Sequence, residues 1–195
     1  MSEGLEIVTP PALYPVTVQE AKDHCNVEYD EDDALIAELI RAATEWAEAM
    51  QGRAYGPTTY RQHLDCFPAC VPLRLPRAPV LAVTQIEYVD NNGTAQILAA
   101  AKYKLNRFIE PAQLWPAYNE TWPETRPESG AVRVTFTAGY VTDLVPKTTK
   151  QAILLQIGAW YAHREELISG TIISQLPGHA GAENLIHQKS VAWSP

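Results

Sequence analysis

The sequence predicts an α+β protein, and three observations carry that prediction. Two helical patterns lie near the N-terminus, a third lies after residue 146, and most of the 15 prolines fall between them. Because proline fixes φ and lacks an N–H donor, a proline-rich stretch favours loops and short strands over helix. We therefore expect an α-helical core of two N-terminal helices and a long C-terminal helix, with a β-rich insertion and an extended C-terminal tail.

The two N-terminal helices are predicted over about 17–26 and 31–51. Thr17 with Glu20 has the spacing of a capping box, and Asp30 with Asp33 repeats it before the second helix. Negative charge there also suits the positive end of the helix. Gly52 is placed to end the second helix. Its apolar residues follow the helical period: Leu35, Ile36, Leu39, Ile40, Ala43, Trp46, Ala47 and Met50.

The insertion alternates polar and apolar residues in short runs, the pattern of half-buried strands. Residues 58–64 are predicted as an edge strand, and 131–137 as the clearest strand of the chain. Asn and Gly at 90–93 accept positive φ, which predicts a hairpin between strands at 80–89 and 94–98. Weaker strands are predicted at 103–105 and 114–117.

The C-terminal helix is predicted from Lys147 to Glu166, opened by Pro146. Its apolar residues cover more than one side, so it must be enclosed, either by a neighbouring subunit or wholly within its own domain. We expect it to pack on the second helix. The predicted core residues are Leu39, Ala43, Trp46, Ile153, Ile157 and Trp160. Trp46→Ala should then cost about 3–5 kcal/mol.

The last segment, 168–195, has no helical or strand period, yet it is too apolar for a solvated tail. We expect it to lie extended on another subunit or on a partner protein, with Ile173, Leu176 and Trp193 as anchors. The predicted division of the chain is 1–57 for the lead-in and helices, 58–140 for the insertion, 141–167 for the C-terminal helix and 168–195 for the tail.

Composition excludes several classes of function. The net charge of −8 disfavours a general DNA-gripping surface, and no run is long and apolar enough to span a membrane. The start of the chain has neither the basic nor the apolar part of a secretory signal. Three cysteines predict no disulfide framework, and His63, Cys66 and Cys70 lack the regular spacing of a zinc site. We expect no catalytic site, no metal and no cofactor.

A loop rich in aromatic residues and proline, PAQLWPAYNETWPETRP, is the candidate interface. Its members are Trp115, Tyr118, Trp122 and Arg126. Tryptophan, tyrosine and arginine dominate the binding energy of protein interfaces. Two other interpretations stay open at this point: a stacking platform for a ligand, and a cover for the open end of the sheet.

An ordered set of segments carries a family resemblance: VTVQEAKDHCNV, DEDDALIAELIRAATEWAEAMQGRAY, RLPRAPVLAVTQIEYVDNNG, WPETRPESGAVRVTFTAGY and VPKTTKQAILLQIGAWYAHRE. From about Val16 to Glu165 the chain resembles the head–tail connector (adaptor, head-completion) proteins of tailed bacteriophages and prophages. The resemblance implies a structural protein and not an enzyme. It also implies a homo-oligomeric ring, usually of twelve copies, beneath the portal protein in the virion neck.

Such a ring extends the DNA channel, so DNA would pass transiently and without sequence preference, and a tail-side neck protein would dock below. Assembly would occur in the cytoplasm of the bacterial host. Two alternatives from other classes are a small metal-dependent hydrolase and a monomeric ligand-binding module of a mobile element. A hydrolase needs convergent polar residues, whereas the histidines are scattered: His24, His63, His163, His179 and His187.

Overall fold

The computed structural model describes residues 3–69, 72–141, 144–163, 181–183 and 185–186. These residues divide into two compact units, which we call the sheet unit (residues 3–12 and 56–140) and the helix unit (13–55, 141–163 and 181–186). The α+β class is confirmed. The elements are β1 Glu3–Thr9, α1 Val18–Cys25, α2 Asp33–Gln51, β2 Thr58–Leu64, β3 Leu73–Leu75, β4 Val80–Val89, β5 Ala95–Ile97, a 3-10 turn Ala100–Lys102, β6 Tyr103–Asn106, β7 Ala112–Pro116, β8 Val132–Ala138 and α3 Lys147–Ala162.

The predicted signals at the ends of the N-terminal helices are confirmed, with one exception. The Glu20 amide donates to Thr17 Oγ1 at 3.2 Å, and the Thr17 amide donates to Glu20 Oε2 at 3.0 Å, which closes the capping box of α1. Helix α2 ends at Gly52, whose φ of 65° is left-handed. The exception is the second capping pair, because no side chain caps the N-terminus of α2.

Asp30 and Asp33 bind Lys22 instead of capping α2. The Lys22 ammonium donates to Asp30 Oδ1 at 2.6 Å and to Asp33 Oδ1 at 2.8 Å, and the lysine side chain is only 6% exposed. Burying an ammonium without charged partners is costly, whereas water can replace a side-chain cap at the start of α2. The two aspartates therefore pair with the lysine. The two carboxylates therefore join α1 to the start of α2.

The three helices of the helix unit pack against one another. Of the predicted core residues, Ala43, Ile153 and Ile157 are fully buried. Leu39, Trp46 and Trp160 are only half-buried, so for them the prediction is wrong. The buried stripe of α2 runs through Ile36, Ile40, Ala43 and Ala47. Leu39 and Trp46 lie on its flank, and Trp46→Ala should therefore cost less than a full core deletion.

The described part of the C-terminal tail is helical and not extended. Residues 181–183 and 185–186 are helical, and Ala182 and Ile186 are fully buried. The buried Gln51 side chain donates from Nε2 to the Ile186 carbonyl oxygen at 2.5 Å. The expectation of an extended tail is therefore wrong for these residues. Ile173, Leu176 and Trp193, and the end of the predicted helix at 164–166, lie outside the described residues.

This contact predicts that the tail stabilises its own subunit. Ile186→Ala should lower the free energy of unfolding of the helix unit by about 2–5 kcal/mol, the range for truncating a buried isoleucine. Urea denaturation followed by the helical circular dichroism signal measures the change. Val141→Ala, which shortens a side chain that is 57% exposed, is the control. Equal stability of the two variants would contradict the prediction.

The sheet unit contains a five-stranded antiparallel sheet in the order β1-β2-β8-β4-β5 and a three-stranded sheet in the order β3-β7-β6. The predicted hairpin is confirmed as β4 and β5, and the clearest predicted strand is β8, at the centre of the larger sheet. The prediction that residues 58–64 form an edge strand is wrong. β1, which the sequence did not predict as a strand, pairs with β2 and takes the edge.

The larger sheet buries alternate residues on one face. On β2 these are Thr58, Tyr60, Gln62 and Leu64, and on β8 they are Val132, Val134, Phe136 and Ala138. Tyr60 and Phe136 face each other in the register and their rings stack at 5.7 Å. Because β1 belongs to this sheet, residues 3–12 group with the insertion, while the predicted division placed 1–57 together. That division remains a prediction.

Candidate assembly surfaces

The described residues hold no group of three or more His, Cys, Asp or Glu side chains that could bind a metal ion. Two of the histidines make local contacts. His24 packs against Gly158, where an added Cβ would come within 3.3 Å of the ring, and His63 lies 3.1 Å from Glu6. Among the described helices, none is both long and apolar enough to cross a membrane. The exposed edges and apolar side chains are therefore the candidate sites.

The first candidate surface is the open edge of the larger sheet at β1. Leu5 lies opposite Gln62, and Ile7 lies opposite Tyr60. Directly paired residues share a face, so Leu5 and Ile7 continue the buried face of the sheet out to its edge. Leu5 is nevertheless 38% exposed and Ile7 59% exposed. Within the described residues, the apolar face thus ends in two partly exposed side chains.

The opposite face of β1 carries a charged cluster. Glu6 Oε2 lies 3.1 Å from His63 Nε2 and 3.6 Å from an Arg61 guanidinium nitrogen. The hydrogen bond from His63, followed by the charge of Arg61, holds the pKa of the Glu6 carboxyl below its usual value. Glu6 is therefore ionised at neutral pH and is fixed at the middle of the edge strand.

The second candidate surface is the opposite edge of the same sheet, at β5. All three residues of β5 are exposed, and Ile97 is 68% exposed. The turn before the strand is held by Asp90, whose carboxylate accepts from the amides of Asn92 and Thr94, each at 2.9 Å. Gln96 Nε2 donates to the same carboxylate at 3.1 Å. These hydrogen bonds lower the pKa of the Asp90 carboxyl, and the bond from the Thr94 amide has the largest effect. They also connect the turn to β5, which has only three residues.

The predicted aromatic interface does not form one patch. Tyr118 is 86% exposed and Trp115 is 44% exposed, whereas Trp122 is half-buried and stacks on Phe67 at 4.9 Å with nearly parallel rings. Arg126 is exposed and ion-paired with Glu128 at 3.5 Å. Trp122 and Phe67 line a groove of about 340 Å³ whose walls also include Pro68, Asn91 and Glu124. The role of these residues at an interface remains a prediction.

Sequence reasoning missed two exposed features of the sheet unit. One is β1, whose apolar Leu5 and Ile7 alternate with glycine and glutamate in a pattern that could have revealed the strand. The other is the loop between β6 and β7, where Phe108 is 90% exposed and Ile109 is 45% exposed. No local pattern distinguishes an exposed phenylalanine from a buried one, so only the structure could find this loop.

Hydrogen bonds between polar side chains connect the elements of the helix unit. The Tyr161 hydroxyl donates to Asp32 Oδ2 at 2.6 Å and lies 3.0 Å from the Tyr29 hydroxyl. The hydrogen bond to Asp32 raises the pKa of Tyr161 far above its usual value, and the hydrogen bond with Tyr29 adds to the shift. These contacts join the loop between α1 and α2 to the end of α3.

Lys150 on α3 donates to Glu20 Oε1 at 2.5 Å, so one carboxylate both caps α1 and ties it to α3. The hydrogen bond from Lys150 lowers the pKa of Glu20 below its ordinary value of 4.5, and the hydrogen bond from the Thr17 amide adds to the shift. A lowered pKa means that the pair stabilises the fold above pH 4.5 and that this contribution is lost as the pH falls further.

We therefore expect Lys150→Met to reduce the loss of stability between pH 6 and pH 3.5. Because both side chains are partly exposed, the change in the free energy of unfolding should be small, about 0.2–1 kcal/mol as for other exposed ion pairs. Urea denaturation at the two pH values measures it. Lys147→Met, in the first turn of the same helix, is the matched control. If the Lys150→Met variant loses as much stability between pH 6 and pH 3.5 as the wild type does, the prediction is wrong.

Comparisons with known proteins give three findings. Residues 15–89 match the family model described as phage gp6-like head-tail connector protein. No curated protein matches the chain. Among solved structures, a chain from the neck of an empty GTA particle computed with C6 symmetry is similar, with a TM-score of 0.79 and 25% identity, and the similarity covers 98% of this chain and 97% of that one.

Two further solved structures share the fold over the same shares of each chain. One is the virion of a native gene transfer agent (GTA) particle, with a TM-score of 0.77, and the other is the neck of a native GTA particle computed with C12 symmetry, with a TM-score of 0.76. Each is 24% identical to this chain. The family-model match relates residues 15–89 to phage head–tail connector proteins, which are structural proteins and not enzymes, and nearly the whole chain shares its fold with a protein from the neck of a GTA particle.

Proposed function

We propose that this chain forms a homo-oligomeric ring, of twelve copies in the virion, in the neck of a phage-like particle. The observation that carries the proposal is the similarity over 98% of the chain to a protein in a neck computed with C6 symmetry. A related neck was computed with C12 symmetry. A twelve-fold ring satisfies both symmetries, because six-fold symmetry is contained in twelve-fold symmetry.

A ring requires two different surfaces on each subunit, one for each neighbour, because its contacts are heterologous. The sheet unit offers two such surfaces, since its larger sheet has two open edges with different strands. The ring would lie beneath the portal protein, bind a tail-side neck protein below and be assembled in the host cytoplasm. Trp115, Tyr118, Trp122 and Arg126 are the proposed contacts to these partners, together with the tail residues Ile173, Leu176 and Trp193.

The net charge of −8 suits a protein that surrounds moving DNA. Phosphate contacts by lysine and arginine release counterions and hold DNA, whereas an acidic surface makes few such contacts. We propose that the ring extends the DNA channel and lets DNA pass without sequence preference.

The test is deletion of the gene followed by cryo-electron microscopy of the particles. Heads without a neck ring and without tails are expected, and the wild-type gene supplied in trans should restore both. A ring density that accommodates this chain in the restored particles completes the test. Particles that keep a complete neck and tail in the deletion strain would overturn the proposal.

A further inference from the structure

We propose that neighbouring copies of this chain join through their sheets, with β1 of one copy pairing in parallel with β5 of the next. This inference rests on the proposed ring and names the contact between its subunits. The result would be one β-sheet that continues from subunit to subunit around the neck.

Strand direction makes this joint parallel. Each neighbouring pair in the order β1-β2-β8-β4-β5 is antiparallel. Four successive reversals leave β1 and β5 running in the same direction. A rotation that brings the β5 edge of one copy beside the β1 edge of the next, with the sheet continuous, therefore aligns the two strands in parallel.

The backbone of β5 is arranged to accept a strand. The Asp90 amide donates to the Thr94 carbonyl at 3.0 Å, and the Leu98 amide donates to the Ile86 carbonyl at 2.9 Å, so these residues occupy hydrogen-bonded positions of the hairpin. In an antiparallel ladder the hydrogen-bonded positions alternate with positions that point outward. Ala95 and Ile97 occupy the outward positions, and their N–H and C=O groups face the open edge.

The β1 edge is long enough to pair with another strand. It has seven residues and contains no lysine and no proline, although it carries Glu3 and Glu6 and its register shifts between Ile7 and Thr9. Long exposed edges pair with other chains. Its uncovered Leu5 and Ile7 add apolar surface that a neighbouring strand would bury.

Charge selects β5 over a second β1 as the partner. Two β1 strands paired antiparallel about their centre would place Glu6 opposite Glu6, and like charges directly opposite one another are destabilising. They would also close a two-fold dimer and not a ring. β5 has the sequence AQI and carries no charge, so it places no carboxylate against Glu6.

The faces of the sheet give the test its control. Gln96 pairs with Tyr88, which pairs with the buried Val132, so Gln96 lies on the same face as Leu5 and Ile7. Ile97 pairs with Glu87 and lies on the opposite face. Side chains that meet across paired strands share a face. A cysteine at 96 can therefore meet one at 5 or 7, whereas a cysteine at 97 cannot.

The experiment uses particles in which a variant without native cysteines (Cys25→Ala, Cys66→Ala, Cys70→Ala) is the only copy of the chain. After oxidation, Gln96→Cys combined with Ile7→Cys or Leu5→Cys should give a ladder of covalently linked subunits. Ile97→Cys combined with Ile7→Cys, and each single cysteine, should give none. In a second arm, Ile7→Lys and Ile97→Lys should each abolish the ring, while Phe108→Lys should keep it.

Rings that persist in both edge-lysine variants, without a ladder from either same-face pair, would overturn the inference and leave the proposed ring intact. A dimer from the single Ile7→Cys variant would also overturn it, because it would show β1 paired with a second β1. A neck without any ring of this chain in wild-type particles would overturn the proposed function itself, which separates the two failures.

Discussion

Gly139→Ala should be among the most destabilising single substitutions in the sheet unit. Gly139 follows β8 with a φ of +133°, a conformation that residues with a side chain rarely adopt. A Cβ there would lie 2.1 Å from the Gly56 carbonyl oxygen and 2.8 Å from the Pro57 nitrogen. Backbone strain of about 1–3 kcal/mol and overpacking of about 1–3 kcal/mol combine to an expected loss of about 2–6 kcal/mol.

Gly130→Ala is the matched control for this substitution. Gly130 precedes β8 and has a φ of +70°, but an added Cβ would meet no atom within 4 Å. Only the left-handed strain of about 1–2 kcal/mol should remain. Urea denaturation measures both variants, and hydrogen exchange of peptides from β2 and β8 reports the sheet locally. If the two variants lose the same stability, the close approach at Gly56 is not what requires glycine at 139.

The parts of the fold that the sequence predicted are those with a local cause. Residues 131–137 alternate between buried and exposed positions, and the turn at 90–93 needs residues that tolerate positive φ, so β8 and the hairpin could be recognised. Pairing between distant segments has no such local cause. The alternating pattern predicts β2 as an edge strand, but its partner β1 lies some fifty residues earlier. Sequence alone does not show which distant strands meet.

The same distinction explains the two acidic residues before α2. Asp30 and Asp33 have the spacing of a cap, but their partner is Lys22 on another helix. A capping pattern is local, whereas the demand of a buried ammonium for charge appears only once the helices are packed. The tail shows the same limit of local patterns. Ile186 is buried, and its carbonyl oxygen accepts a hydrogen bond from Gln51, 135 residues away.

For the candidate assembly surfaces, residue type and sheet topology point to different parts of the molecule. Sequence reasoning selected tryptophan and tyrosine because these residue types dominate interfaces, yet Trp122 packs on Phe67 within its own subunit. The two sheet edges could not be found in this way. An edge is defined by the absence of a neighbouring strand, and that property belongs to the topology and not to any residue.

In the helix unit, Ile157→Ala should cost about 2–5 kcal/mol, the range for removing a buried isoleucine side chain. Ile157 is fully buried on α3, which packs against α1 and α2. The loss combines the transfer free energy of the removed methyl and methylene groups with the cavity that rigid neighbours leave behind. Urea denaturation followed by the helical circular dichroism signal gives the change in the free energy of unfolding.

Leu155→Ala is the matched control, because Leu155 lies two residues earlier on the same helix and is only half-buried. It removes a side chain of the same size class and leaves helix propensity nearly unchanged. We expect a clearly smaller loss, since part of that side chain already contacts solvent and no closed cavity forms. In the assembled ring, Leu155→Ala would cost more stability than Ile157→Ala only if a neighbouring subunit buries Leu155. Measuring both variants in the free subunit and in the particle therefore also tests whether α3 is enclosed by its own unit alone.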